Sequence, residues 1–335
     1  MARPIPLSLR VSGFTLLLVV GLAGVFDGCA RQTIPTYQIG LGPWIGFGPL
    51  YLAREKGFFE EQGVKVDLVV LTGLAERNSA LKSERISGLA APVDYFVLSA
   101  GNRLETTIVM AVDESTGGDG IVAKSGIDSP RDLVGKRVAF QRGLPSEFFL
   151  RSLLDNEGVS LDRLNGVDME TAQAGAAFLA GQLDAAALWE PWLTRAKDQG
   201  HGHILASTRD HPNLIVDCLA FNKNVVQRSP GDVQKIVNAI FKAIAYWKQN
   251  PGDANAIMAP HFQVDAAKYA GLLDGLAFSD LARNRSYFGT AGSQGPIFKV
   301  ADQASSIWKA AGVIQQPVTA QGIIATQFVT SAREN

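Results

Sequence analysis

Hydrophobic and polar positions divide the chain into strand–helix units. "TYQIGLG" alternates with period two and predicts a strand, and the glycine–proline loop "GPWIGFGP" feeds "LYLAREKGFFEEQG", where Leu50, Ala53 and Phe58 suit a short helix closing at Gly57 or Gly63. "VKVDLVVL" is the next strand, which completes a strand, loop, helix, strand unit of the kind that builds parallel sheets. A second unit begins at "SPRDLVGKRVAF", with Ser129 as a helix cap, Pro130 in the first turn and "RVAF" as a strand, and continues into the helix "RGLPSEFFLRSLLDNEG", ending at Gly158. "GVDME" and "LDAAALW" read as short strands around "AQAGAAFLAGQ", and "HILAST" and "LIVDCLAFN" as extended segments. The tail differs in kind: Val233, Ile236, Val237, Ile240, Ile244 and Trp247 recur on one helical face, and more helices follow to "SSIWKAAG".

Two α/β units, the first resumed by the helical tail, predict two lobes joined by crossing segments at 114–121 and 215–221. Lobe 1 would comprise residues 36–118 plus 222–335, and lobe 2 residues 119–221. A cleft between lobes is where a small ligand sits.

Residues 1–28 stand apart. Arg3 and Arg10 precede or open a continuously apolar "FTLLLVVGLAGVF", and small residues follow in "DGCA", the layout of a secretory signal peptide. The apolar stretch 11–26 is shorter than the ~20 residues that span a bilayer. Cys29 after Gly28 resembles the lipid-modified cysteine of bacterial lipoproteins, although Phe26 and Asp27 depart from that motif, so a lipid anchor stands beside simple cleavage. The expected location is the periplasm or the outer face of the membrane, free or anchored through Cys29. With Cys218 as the other cysteine, no internal disulfide is expected.

Composition narrows the partners. The 335 residues are 47% apolar and 19% charged with a net charge of −1, enough for a sizeable core and without the basic face that nucleic acid or an anionic membrane would need. Any ligand is therefore expected to be small.

The stretch "DESTGGDG" (113–120) could be taken for a phosphate loop, but no Gly-Lys-Ser/Thr follows, its carboxylates repel phosphate, and "IVAK" beyond it is a strand. It reads instead as the first crossing between lobes, with Asp113 and Glu114 as solvated turn residues and Asp119 aimed at the cleft. "HGH" (201–203) offers two histidines on one side of a strand, but no zinc-type spacing completes a site, so no metal and no cofactor are expected. Neither Gly-x-Ser-x-Gly nor His-Glu-x-x-His occurs. A binding protein that is not an enzyme is the leading expectation, against a hydrolase using Ser115, Asp119 and a folded-in histidine, or a sensor that presents ligand to a receptor.

"PWIGFGPLYLAREKGFFEEQGVKVDLV", "SPRDLVGKRVAF" and "AGAAFLAGQLDAAALWEPWLTRA" resemble the nitrate/sulfonate/taurine-type solute-binding proteins of bacterial ATP-binding-cassette importers, over about 37–250. The resemblance implies a type II periplasmic-binding-protein fold: two α/β lobes on a two-segment hinge, a monomer that closes on a small solute and hands it to a membrane permease with its ATPase. "VDESTGGDGIVAKSGI", "VDMETAQAGAAF" and "ALWEPW" look most like the branch linked to urea carboxylase and guanidine, which also implies an acidic residue after "LIV", here Asp217. Gln141 in "QRG" and the run "GLAAPVDYF" depart from the pattern, which bears on the ligand more than on the fold.

Beside that resemblance, the residues expected to face the cleft are Trp44, Phe47, Asp94, Ser115, Asp119, Glu147, Glu190, Trp192 and Asp217, with Trp189 as core or contact. Carboxylates with aromatic faces suit a small planar cation such as guanidinium, or a polar urea-like molecule. An oxyanion such as taurine, an alkanesulfonate or nitrate is the alternative, supported by Arg142, the helix start at 145–147 and the amides around 46–49.

Overall fold

The computed structural model describes residues 34–199, 202–290 and 292–334. The leader and Cys29 lie outside the described residues, as does His201.

Beside a small ladder of Gly289–Thr290 with Ser293–Gln294, eleven strands of the described residues form two sheets. They are β1 (Thr36–Leu41), β2 (Lys65–Val70), β3 (Gly88–Pro92), β4 (Thr106–Ser115), β5 (Asp119–Ala123), β6 (Arg137–Phe140), β7 (Asn165–Asp168), β8 (Ala185–Trp189), β9 (His203–Ser207), β10 (Val216–Asn222) and β11 (Leu276–Phe278). The first sheet has the order β11-β4-β10-β3-β1-β2, and the second β7-β6-β8-β5-β9. In the first, β1 runs parallel to β2 and β3 while β10 is antiparallel to β3 and β4. In the second, β6 is parallel to β7 and β8, and β5 is antiparallel to β8 and β9. Each sheet with its helices is one α/β lobe, the architecture expected.

The apolar runs became buried strands because helices cover the sheets. Val233, Ile236, Val237, Ile240 and Ile244 of the helix Pro230–Gln249 are fully buried, whereas Trp247 at its end is only partly covered and donates to Asn255 Oδ1 at 2.9 Å. Ser129 and Asp132 form a reciprocal cap on the short turn Pro130–Leu133.

Two expectations change. The segment 215–221 is not a crossing: Val216–Asn222 pairs on both sides within the first sheet, so that lobe resumes at β10 and the second crossing lies at 208–215. Likewise Asp113 and Glu114 are not solvated turn residues. Strand β4 runs on to Ser115, leaving Asp113 fully buried and Glu114 nearly so, and the first crossing shrinks to 116–118. The apolar run before them continues its pairing through the acids because β10 and β11 flank both edges.

Asn284 fastens this stretch of β4. Its Oδ1 accepts from the Ala111 amide at 2.8 Å and its Nδ2 donates to the Ala111 and Ser279 carbonyls at 2.9 and 2.8 Å, all out of contact with water. Asn284→Leu strands the Ala111 amide and carbonyl and is expected to cost ~3 kcal/mol, a fall of ~6 °C in Tm by calorimetry.

Candidate functional site

Strand ends from both lobes converge on one cavity. The loop after β1 brings Trp44 and Phe47, the start of β10 brings Asp217, the start of β5 brings Asp119 and the end of β8 brings Trp189, with Arg77 completing the wall around about 360 Å³ of empty space. That is the position expected of a small-solute site in an open α/β sheet.

Its defining feature is buried charge. Asp119 and Asp217 line the cavity, and Asp94 and Asp113 adjoin it; all four are at most 4% exposed. Strand register sets Asp217 directly opposite Asp113, and the pairing slips between Asp217 and Cys218, a local irregularity of the kind that re-aims a side chain. Trp44 Nε1 donates to Asp113 Oδ1 at 3.1 Å, but Asp113 Oδ2, Asp119 Oδ2 and both oxygens of Asp94 have no hydrogen-bond partner.

Burial and mutual repulsion hold these acids toward their neutral forms. Burial and then the charge of Asp119 push Asp94 up to about 7, with the amides of Asp94 and Tyr95 beside it offsetting part of the rise. Burial likewise raises Asp119 to about 7 despite Ser115, and Asp113 to about 8 despite Trp44. Asp217 is driven well above the ordinary carboxylate range by burial and by Asp113, Asp119 and Asp94, with Arg77 pulling the other way.

Arg77 is the site residue that sequence reasoning missed. It lies in the helix Leu74–Lys82, is 4% exposed, donates Nε to the Leu71 carbonyl at 3.0 Å and sits 5.9 Å from the Tyr95 ring centre. Burial disfavours its charge, and Tyr95, Asp217 and Asp94 favour it. Within the cluster Arg77 acts on Asp94 and Asp217, and Arg283 acts on Asp113.

Two glycines allow this approach. A Cβ on Gly46 would come within 2.3 Å of Asp113 Oδ2, and one on Gly118 within 2.7 Å of the Trp44 ring.

Of the residues expected at the cleft, Trp44, Phe47, Asp119 and Asp217 line the inner cavity with Trp189, and Asp94 adjoins it. Trp192 lines a second, outer space of about 770 Å³ that shares Pro43 and Trp189 with the inner one. The other three are engaged within the protein. Ser115 Oγ is hydrogen-bonded to Thr208 Oγ1 at 2.8 Å and accepts from the Asp119 amide at 3.0 Å, tying the two crossings together. Glu147 accepts from the Gly143 amide at 2.6 Å and pairs with Arg151 at 2.7 Å. Glu190 accepts from the Thr194 amide and hydroxyl at 3.1 and 2.7 Å, fastening the first turn of the helix Trp192–Asp198.

The supports for an anion are also largely engaged. Arg142 is two-thirds exposed and pairs with Asp168 at 3.3 Å, and the Phe47 and Gly48 amides donate to the Trp44 and Ile45 carbonyls. Among the described residues no group of three His, Cys, Asp or Glu is placed to hold a metal ion. Nor is any helix among them long and apolar enough to cross a membrane.

Residues 44–254 match the model of the family described as NMT1/THI5 like. The chain belongs to the NMT1/THI5-like family. A provisionally named binding protein of Brucella abortus is 26% identical over 220 residues, 64% of this chain and 68% of its own. A provisionally named aliphatic sulfonates-binding protein of Bacillus subtilis is 23% identical over 261 residues, 71% and 75% of the two chains. In three dimensions the chain is similar to the alkanesulfonate-binding protein SsuA of Xanthomonas axonopodis pv. citri, solved with MOPS, with a TM-score of 0.72 at 19% identity over 87% of this chain and 98% of that one. The periplasmic nitrate-binding protein NrtA of Synechocystis PCC 6803 gives 0.66 at 16% identity, over 88% and 86%. These likenesses establish the periplasmic-binding-protein fold.

Proposed function

We propose that this member of the NMT1/THI5-like family is an extracytoplasmic solute-binding protein of an ATP-binding-cassette importer, without catalytic activity, whose ligand presents a cationic, multiply donating nitrogen group of the guanidinium or amidinium kind, or a polar urea-like group. The importer role draws on the family and on relatives named for binding sulfonate and nitrate. The ligand's charge rests on one observation. Two buried carboxylates, Asp119 and Asp217, line a cavity whose wall holds one guanidinium, two more, Asp94 and Asp113, lie beside it, and four oxygens of this cluster have no hydrogen-bond partner. A planar cation would pair with Asp119 and Asp217 by charge-assisted hydrogen bonds and could stack on Trp44 or Trp189, whereas a bare oxyanion would add to the repulsion.

Closure follows from where these residues sit. Asp217 belongs to one lobe and Asp119 to the other, so a ligand held by both favours the state in which the lobes meet, and the crossings at 116–118 and 208–215 would take up the hinge motion. The closed monomer would then be recognised by a permease and its ATPase.

The names of the relatives favour a second reading, a sulfonate or nitrate as solute, with Arg77 as its counter-charge. A thermal-shift panel of millimolar guanidinium, urea, small amines, taurine, methanesulfonate and nitrate separates the two. Stabilisation by the nitrogenous cations or urea is expected, and stabilisation by methanesulfonate or nitrate alone would overturn the assignment. Consumption of any of these solutes would overturn the non-catalytic reading.

A further inference from the structure

The outer space of the cleft has chemistry opposite to the inner one. Its wall includes the start of the helix Thr171–Leu179, where no side chain caps the first amides and the preceding residue, Glu170, has extended backbone angles. The first turn of a helix leaves amide donors unpaired and carries partial positive charge, which favours a negative group. Two further observations single out this helix start. Thr171 is 2% exposed, lines the space, and its hydroxyl has no hydrogen-bond partner. Arg195 lines the same space with its guanidinium 4.7 Å from the Trp192 ring centre, and among the described residues no carboxylate is in ion-pair range of it. Glu170 is the opposing charge on this wall. The two spaces are neighbours that share Pro43 and Trp189 in their walls.

We infer that the solute is a zwitterion spanning both spaces, its cationic nitrogen group among the inner carboxylates and a carboxylate or sulfonate at the far end held by the Thr171 hydroxyl, the first amides of its helix and Arg195. This rests on the cationic reading of the inner cavity. It also accounts for a carboxylate-lined cavity in a chain similar to sulfonate-binding proteins, because the anion occupies a different compartment from the acids.

The test compares guanidinium, guanidinoacetate and guanidinoacetamide by calorimetry on the unaltered protein and on Arg195→Gln, Thr171→Val and Glu170→Gln. Guanidinoacetate is expected to bind at least ~10-fold more tightly than its amide, whose far end carries no charge, one charge-assisted contact in free energy. Arg195→Gln and Thr171→Val each reduce that ratio by several-fold while leaving guanidinium binding unchanged, and Glu170→Gln raises it. Equal affinity for acid and amide with intact guanidinium binding, or binding of guanidinium but of neither longer compound, overturns the outer subsite alone. Variants that weaken guanidinium and guanidinoacetate equally overturn it too, since they report a structural effect. If none of the three binds, the cationic reading falls and this inference with it.

Discussion

Replacing Asp119 by asparagine is expected to weaken guanidinium binding ~30-fold or more while making the ligand-free protein more stable. The carboxylate stands at the first residue of β5, is 4% exposed and keeps one oxygen without a partner, so it carries a desolvation cost that Ser115 offsets only in part. Asparagine keeps the shape, removes the charge and relieves the repulsion that reaches Asp94, Asp113 and Asp217. Loss of one charge-assisted hydrogen bond to a bound cation costs ~2 kcal/mol or more, and the gain in the free protein at pH 8 is ~1 kcal/mol, about 2 °C in Tm. A residue that were merely structural would move both quantities downward together. Calorimetric titration and unfolding of the same preparations check both signs.

The second large effect is on pH. Asp94 and Asp119 titrate near 7 and Asp113 near 8 in the folded chain, far above the ~4 of an unfolded aspartate. Between about pH 4 and pH 8 the folded protein therefore holds more protons than the unfolded one, and stability falls as pH rises through that window. From pH 5 to pH 8 the ligand-free protein is expected to lose at least ~2 kcal/mol from this cluster, ~4 °C or more in Tm. Arg77 opposes the trend, and Glu190, itself raised by burial, adds to it. A cation binds the ionised acids, so its affinity rises over pH 6–8 by up to ~10-fold per unit for each proton released, and its presence flattens the stability profile. An oxyanion would show the reverse, binding better as the acids become neutral. Unfolding scans at several pH values with and without guanidinium distinguish the two.

The fold was legible because its signals are repeated. Strand periodicity, capped helix starts and the long apolar face of Pro230–Gln249 each point to the same layered α/β arrangement. The boundary at 222 was set without knowing which strands the extended "LIVDCLAFN" pairs with, whereas β10 lies between β3 and β4 and keeps Asp217 buried against Pro92 and Asp113 in register. Asp113 was misjudged for the same reason. An acid at the end of a long apolar run looks like the start of a turn until the flanking strands are known.

Side-chain roles divide by the range of their partners. Asp119 and Asp217 were legible as carboxylates at strand ends facing a cleft. Glu147 and Glu190 looked equally free, yet their partners, Arg151 and Thr194, lie four residues on, a spacing that local reading could have weighed. The bond of Ser115 to Thr208 spans 93 residues and leaves no local trace. Arg77 sits in "LAERNSALK", a segment with no apolar face to mark which side turns inward, so its burial depends on the assembled sheet.

The inner cavity is expected to select for positive charge. Calorimetric titration at pH 8 of the protein with guanidinium, and separately with methanesulfonate and nitrate as sodium salts, measures that selection directly. Saturable binding of one guanidinium with proton release is expected, and no saturable heat from either anion. Saturable binding of methanesulfonate or nitrate with none of guanidinium would contradict it.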